Sequence, residues 1–156
     1  MKVLAIDPGY DRLGVAIVEK DNHGEIVIFS KCIETDKNEG VNERIYQLGL
    51  ELEEIIHTYQ PNSVAIETLF FNKNIKTAIG VAEARGMIIY LAKKFSCTIH
   101  EFGPQEIKIA TTGYGKSDKE AVIMMVKKLV RNVPESALDD EYDAIAVGIT
   151  CLAHHA

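Results

Sequence analysis

Four carboxylates stand where a folded chain can gather them: Asp7, Glu67, Asp140 and Asp143. Asp7 ends a short apolar run, Val3 to Ile6, just before Pro8-Gly9. Glu67 ends a second one that starts at Ser63. Acids at strand ends that border a turn can point into one cleft. Asp140 and Asp143 are three apart, so on a helix they share a face. Other roles are open to some of them. Asp7 before Pro-Gly is also a common turn former. Asp139, Asp140 and Glu141 are all open to reading as ordinary first-turn acids favoured by the helix dipole, and for Asp139 and Glu141 that reading is preferred. Asp143 precedes an almost wholly apolar stretch, and an acid on a buried helix needs a partner. Hard divalent cations such as Mg²⁺ take carboxylate oxygens. Two of them roughly 3.5–4 Å apart activate a water and stabilise the leaving oxygen of an in-line phosphoryl displacement. Four clustered acids repel one another without metal, so ion binding and ordering of the site should be coupled.

The elements that must position these acids are legible in outline. Val3–Ile6, Leu13–Val18 and Glu25–Ile33 read as three strands in a meander, with turns at Asp7-Pro8-Gly9 and Asp21–Gly24. Residues 41–59 are helical, with Ile45, Leu48, Leu52, Ile55 and Ile56 on one face and Pro61 beyond the end. Ser63–Glu67 is a fourth strand, residues 74–95 a long helix rich in Ala and Gly, and Cys97–Phe102 a fifth strand. Pro104 suits the first turn of a short helix. Thr111–Lys116 is a Gly-containing loop, and Ser117 with Glu120 reads as the capping box of a helix to about Arg131. Asp139 leads into a last helix, Asp140 to about His154. The expected class is α/β: one mixed sheet with helices on its faces.

Composition limits the function classes. The chain of 156 residues is of single-domain length and 47% apolar, enough for a proper core. No apolar run is long enough to span a bilayer, and Met1-Lys2 leads straight into a strand with no h-region, so no membrane and a cytoplasmic location are expected. Cys32, Cys97 and Cys151 are an odd count without CxxC spacing. They read as buried reduced thiols rather than a disulfide or a zinc site. None of the five histidines is assigned a role. His154 and His155 read as frayed, His57 and His100 as structural or solvent-facing. The net charge of −6 is unevenly spread: residues 68–138 hold 11 Lys and Arg against 6 Asp and Glu, while both flanks are acidic. That fits a basic surface for a polyanion beside a carboxylate pocket, or ordinary fluctuation of a solvated surface.

Longer stretches now join the single acids. Residues 5–9 read AIDPG and continue YDRLGVAIVE; 65–74 read AIETLFFNKN; 82–86 read AEARG; 113–119 read GYGKSDK; 139–150 read DDEYDAIAVGIT. In this order and spacing they resemble the bacterial RuvC-type Holliday junction resolvases over essentially the whole chain. The resemblance implies an RNase H-like fold, a mixed five-stranded sheet with helices on both faces, in one domain spanning 1–156. It implies a homodimer that nicks two strands of a four-way DNA junction symmetrically, with two Mg²⁺ per site and Mn²⁺ as a substitute. It assigns Asp7, Glu67, Asp140 and Asp143 as catalytic metal ligands, although some members carry histidine at the Asp140 position. Phe70 matches an aromatic that stacks on bases at the opened junction. Phe71 is a second aromatic, and which of the two reaches DNA stays open. Lys108 and Lys119 match cations near the scissile region. Lys116 is an extra cation in the same loop, and either Lys116 or Lys119 is the one that assists catalysis. Lys73, Lys76 and Arg85 are further phosphate-contact candidates. Branch-migration helicase machinery is the expected partner. The 74–95 helix with Ile88-Ile89-Tyr90 is the candidate dimer contact, core packing being the other reading.

Three rivals remain. YqgF-like RNA-processing nucleases share the opening strand-turn-strand but are not expected to carry ETLFFNKN and AEARG. A sugar-kinase or actin-like ATPase shares the first-strand Asp but needs two such domains. A non-catalytic junction-binding relative should lack one of the four acids. The Gly-containing DPGYDRLG is neither a Walker nor a Rossmann loop.

Overall fold

The three opening strands do form a meander: β1 (Lys2–Asp7), β2 (Arg12–Asp21) and β3 (Gly24–Glu34). The tight β2–β3 turn needs a left-handed residue, and Gly24 supplies it at φ 108°. Then follow α1 (Val41–Tyr59), β4 (Ser63–Glu67), α2 (Ile75–Lys94), β5 (Thr98–Phe102), α3 (Pro104–Thr112), α4 (Lys119–Leu129) and α5 (Asp139–His154). This is a computed structural model, and it describes residues 1–68 and 75–155, with Lys76 by its backbone alone.

The sheet order is β3-β2-β1-β4-β5. β1–β2 and β2–β3 are antiparallel, while β1–β4 and β4–β5 are parallel. The period of two along each strand splits the core into two layers. Leu4, Ile6, Val64 and Ile66 face α1 and α2, meeting Leu48, Leu52, Ile88 and Leu91. Val3, Ala5, Ala65 and Phe102 face α5, with Ile107 of α3 and Val122 and Val126 of α4 completing that layer. Small residues let α5 press on the sheet. A Cβ on Gly148 would lie 2.4 Å from Val18 Cγ2 and 3.2 Å from Ala5 Cβ.

The structure adjusts several sequence expectations. The N-cap of α4 is Asp118, which accepts a hydrogen bond from the Ala121 amide at 2.8 Å. Ser117 is instead buried and donates to the Tyr114 carbonyl at 2.7 Å. The cap therefore sits one residue later, because the preceding turn already uses the serine hydroxyl. Cys97 and Cys151 are buried, but Cys32 is only half-buried. Ile88 is a core residue, so in the proposed dimer patch it is Tyr90, not Ile88, that is exposed. No helix is long and apolar enough to cross a membrane, among the described residues.

Candidate active site

β1 and β4 are neighbours in register Ile6↔Ile66, so Asp7 and Glu67 end adjacent strands side by side. Both continue the alternation through Ala5 and Ala65, which puts them on the face covered by α5. α5 begins over this point. Opposite Asp7 on β2 stands Gly14, and a Cβ there would lie 1.9 Å from the Asp140 carbonyl oxygen. Only glycine lets the first turn of α5 approach so closely. The Ser30 hydroxyl donates to Glu141, which ties that turn to β3 as well.

Two cations hold the helix acids. The Lys119 ammonium donates to Asp143 Oδ2 at 2.8 Å and lies 3.9 Å from Asp139. Arg12 Nε is 3.3 Å from Asp140 Oδ2. That contact is ionic and poorly aligned, since the same buried oxygen has no hydrogen-bond partner among the described residues. Arg12 and Gly14 belong to the quoted DRLG run, yet sequence reading assigned neither a role. Their signal is the β1–β2 register, which brings β2 alongside Asp7.

The acids strain against each other. Asp7 is pushed up to about 8, by burial first and then by the charges of Glu67, Asp143 and Asp140, with Lys119 opposing. Glu67 is raised by burial and by Asp143, against Lys119 and Lys108. Asp143 is raised by burial, against its hydrogen bond from Lys119. Lys119 itself loses solvation, but Asp143, Asp139 and Asp7 outweigh that and raise its pKa. One lysine and one arginine do not neutralise four acids. An all-oxygen donor set short of positive charge, with an orphaned carboxylate oxygen, fits hard divalent cations. Among the described residues, no three of these acids bring one oxygen each within 4.8 Å of one another. Their contacts with Lys119 and Arg12 hold Asp143 and Asp140 in place.

A cleft of about 320 Å³ opens beside the acids, walled by Glu67, Lys108, Ser117, Lys119 and Asp143. It brings Lys108 and Lys119 together with the carboxylates. Lys116 is exposed in the turn before α4. Arg85 is engaged in an ion pair with Glu101 of β5. Phe70, Phe71 and Lys73 lie outside the described residues, as does the side chain of Lys76.

A five-stranded mixed sheet with helices on both faces, and acids at the ends of β1 and β4 under α5, defines an RNase H-like protein. A family model described as crossover junction endodeoxyribonuclease RuvC matches residues 3–151. The chain therefore belongs to the RuvC family. The crossover junction endodeoxyribonuclease of Thermosipho melanesiensis is 41% identical over 153 residues, covering 98% of this chain and 97% of that one. The one from Caldicellulosiruptor saccharolyticus is 43% identical over 150 residues, covering 96% and 90%. Among solved structures, Thermus thermophilus RuvC in complex with a Holliday junction substrate superposes with a TM-score of 0.92 at 27% identity, covering 99% and 94%.

Proposed function

We propose that this chain resolves four-way DNA junctions by paired symmetric nicks, with Asp7, Glu67, Asp140 and Asp143 as its catalytic centre. The observation that carries this reading is the mutual electrostatic strain of these acids, of which Glu67 and Asp143 wall an open, lysine-bearing cleft. Asp7 and Glu67 from the sheet, with Asp143 and Asp140 from α5, would hold two Mg²⁺ ions, with Mn²⁺ able to replace them. When bound, such ions activate water and stabilise the leaving 3′ oxygen of the cleaved phosphodiester. The chain's own residues do the rest. Asp7, raised to about 8, would hold an ion only in its deprotonated form, so ion affinity would climb with pH. Lys119 keeps Asp143 oriented through its 2.8 Å hydrogen bond and offsets charge building on the phosphate. Lys108, on the cleft wall, holds the neighbouring phosphate. Phe70 or Phe71 stacks on bases at the opened crossover, and Lys73, Lys76, Arg85 and Lys116 contribute phosphate contacts.

Two symmetric cuts need two centres related by a two-fold axis, hence a homodimer. Exposed Ile79 and Tyr90 of α2, and Tyr46 and Leu50 of α1, are the apolar surface that supports it. Helicase machinery for branch migration is the expected partner.

The test uses a labelled four-way junction, a linear duplex and a structured RNA, each with Mg²⁺ and with EDTA. Paired nicks in the junction alone, abolished by EDTA, are expected. Cleavage of RNA but not of the junction overturns the reading in favour of a YqgF-like nuclease. Junction binding without any cutting marks a non-catalytic relative.

A further inference from the structure

The end of α5 far from the acids carries a different set of donors. Cys151 lies in the last turn of α5, and His155, four residues on, is the C-cap that follows the helix. His100 lies on β5, the edge strand of the sheet. It shares the strand face of Phe102, which packs in the layer under α5. The fold therefore brings an imidazole from the strand to a thiol of the helix and an imidazole of its C-cap. Among the described residues, these are the three ligand-type side chains whose donor atoms all lie within 4.8 Å of one another. The His100 and His155 rings are 4.1 Å apart at 46°. The neighbouring His154 is not among these donors and packs on Phe102, ring centroids 5.2 Å apart.

We propose that His100, Cys151 and His155 form a second metal site, one that takes a single borderline-soft ion of the Zn²⁺ class. One sulfur and two nitrogens suit Zn²⁺ or Co²⁺ and reject Mg²⁺. Three protein ligands leave a fourth position to water. Zinc–ligand bonds of 2.0–2.3 Å put tetrahedral donors about 3.5 Å apart, so donors within 4.8 Å of one another need close by little more than about 1 Å at most. His155 can supply that movement, because it is exposed and follows the last residue of α5.

The protonation states bear on uptake. Burial, and then His155, hold His100 below its ordinary value, which keeps the neutral ring with its free lone pair. Burial pushes the Cys151 thiol up to about 11. Uptake must therefore release that thiol proton to solvent as the sulfur–metal bond forms, and both imidazoles donate lone pairs without redox change. The eight residue steps from Asp143 to Cys151 span about 12 Å of helix, so this ion is separate from those at the acids. It would pin the end of α5 to the edge strand.

The test is a Co²⁺ titration of the chelator-stripped chain, with a non-thiol reductant and a large excess of Mg²⁺. One equivalent should bind, showing tetrahedral d–d bands and a thiolate-to-cobalt charge-transfer band, and Zn²⁺ should displace it. His155→Ala touches an exposed residue and should fold normally. It should weaken binding by about 100-fold or more, beyond the 10–100-fold typical of losing an outer-shell partner. Cys151→Ala should abolish the charge-transfer band, and His154→Ala should change nothing. A spectrum without the charge-transfer band overturns the proposal, as does binding unchanged in His155→Ala or removed by excess Mg²⁺. Because the readout is spectroscopic, it is independent of whether the chain cuts junctions.

Discussion

The two ends of α5 set opposite kinds of donor against the same sheet. At its start, Asp140 and Asp143 join Asp7 and Glu67, all hard oxygen donors beside an open cleft. At its end, Cys151 and His155 meet His100, softer donors of which the thiol is fully buried. The start is crowded with like charge, which Lys119 and Arg12 only partly offset. The end carries no carboxylate in its cluster and can be neutral without any ion. One helix can thus keep two ions apart by ligand chemistry, with its length as the spacer. The difference also says where the fold bears a cost for function. The acid end is unstable on its own terms, and the thiol–imidazole end is not.

Asp7→Asn tests that claim most strongly. On the proposed assignment it removes a metal ligand from the acid end, so junction cleavage should fall on the order of 10³-fold or more, beyond the loss seen for outer-shell partners. Junction binding should persist in a gel-shift assay. The same change removes the most perturbed charge of the cluster, so the metal-free variant should be more stable than the parent near pH 8. A variant that cuts normally, or that is less stable in EDTA, would break the comparison.

The pH dependence follows with its sign. Asp7 titrates near 3.8 unfolded and at about 8 folded, so the native state holds a proton that the unfolded state releases. Its contribution to stability is fully present below about pH 4 and is lost as pH rises through about 8. Burial pushes Glu67 and Asp143 the same way. At about 1.4 kcal/mol per unit, Asp7 alone amounts to at most about 6 kcal/mol. Urea unfolding in EDTA at several pH values should show this decline, with Mg²⁺ reversing it and Asp7→Asn flattening it. A flat profile for the parent chain would remove the electrostatic strain from the account.

Much of the fold is legible in the sequence. The meander and Pro104 at the first turn of α3 follow from period, turn chemistry and ring geometry, which are local, whereas Asp140 is singled out from its acidic neighbours only with the help of the family resemblance. What local rules could not supply is contact across elements. Gly14 looks like any strand glycine until the register sets it opposite Asp7 and under Asp140. Ser117 looked like a cap because its loop partners, Thr112 and Tyr114, were not foreseeable. The spacing of Cys151 and His155 was readable, but His100 joins them only once β5 is known to face α5. Reading the thiol as merely buried was correct about burial and silent about its neighbours.

Gly14→Ala probes how α5 is seated. The added methyl group meets the Asp140 carbonyl, so the first turn must lift. Overpacking of this kind costs about 1–3 kcal/mol. Thermal unfolding should show that loss, and Mg²⁺ affinity should fall with it, while Co²⁺ binding at the far end should be untouched. If both ends respond equally, α5 moves as one rigid rod and the two sites are coupled.

The smallest effects separate the two loop lysines. Lys119 touches Asp143 and also lowers the pKa values of Asp7 and Glu67. In Lys119→Met those acids should bind protons more tightly, so the acid limb of the cleavage–pH profile should move to higher pH. The rate should drop roughly 10–100-fold, as for a group that orients ligands. Lys116 is exposed in the turn and should act only as a phosphate contact. Lys116→Ala should leave the pH profile in place, weaken junction binding several-fold at most, and reduce the salt slope of binding by about 0.9. A shifted profile in Lys116→Ala with an unshifted one in Lys119→Met would exchange their roles. It would also mean that the hydrogen bond to Asp143 is not what tunes the acid end of α5.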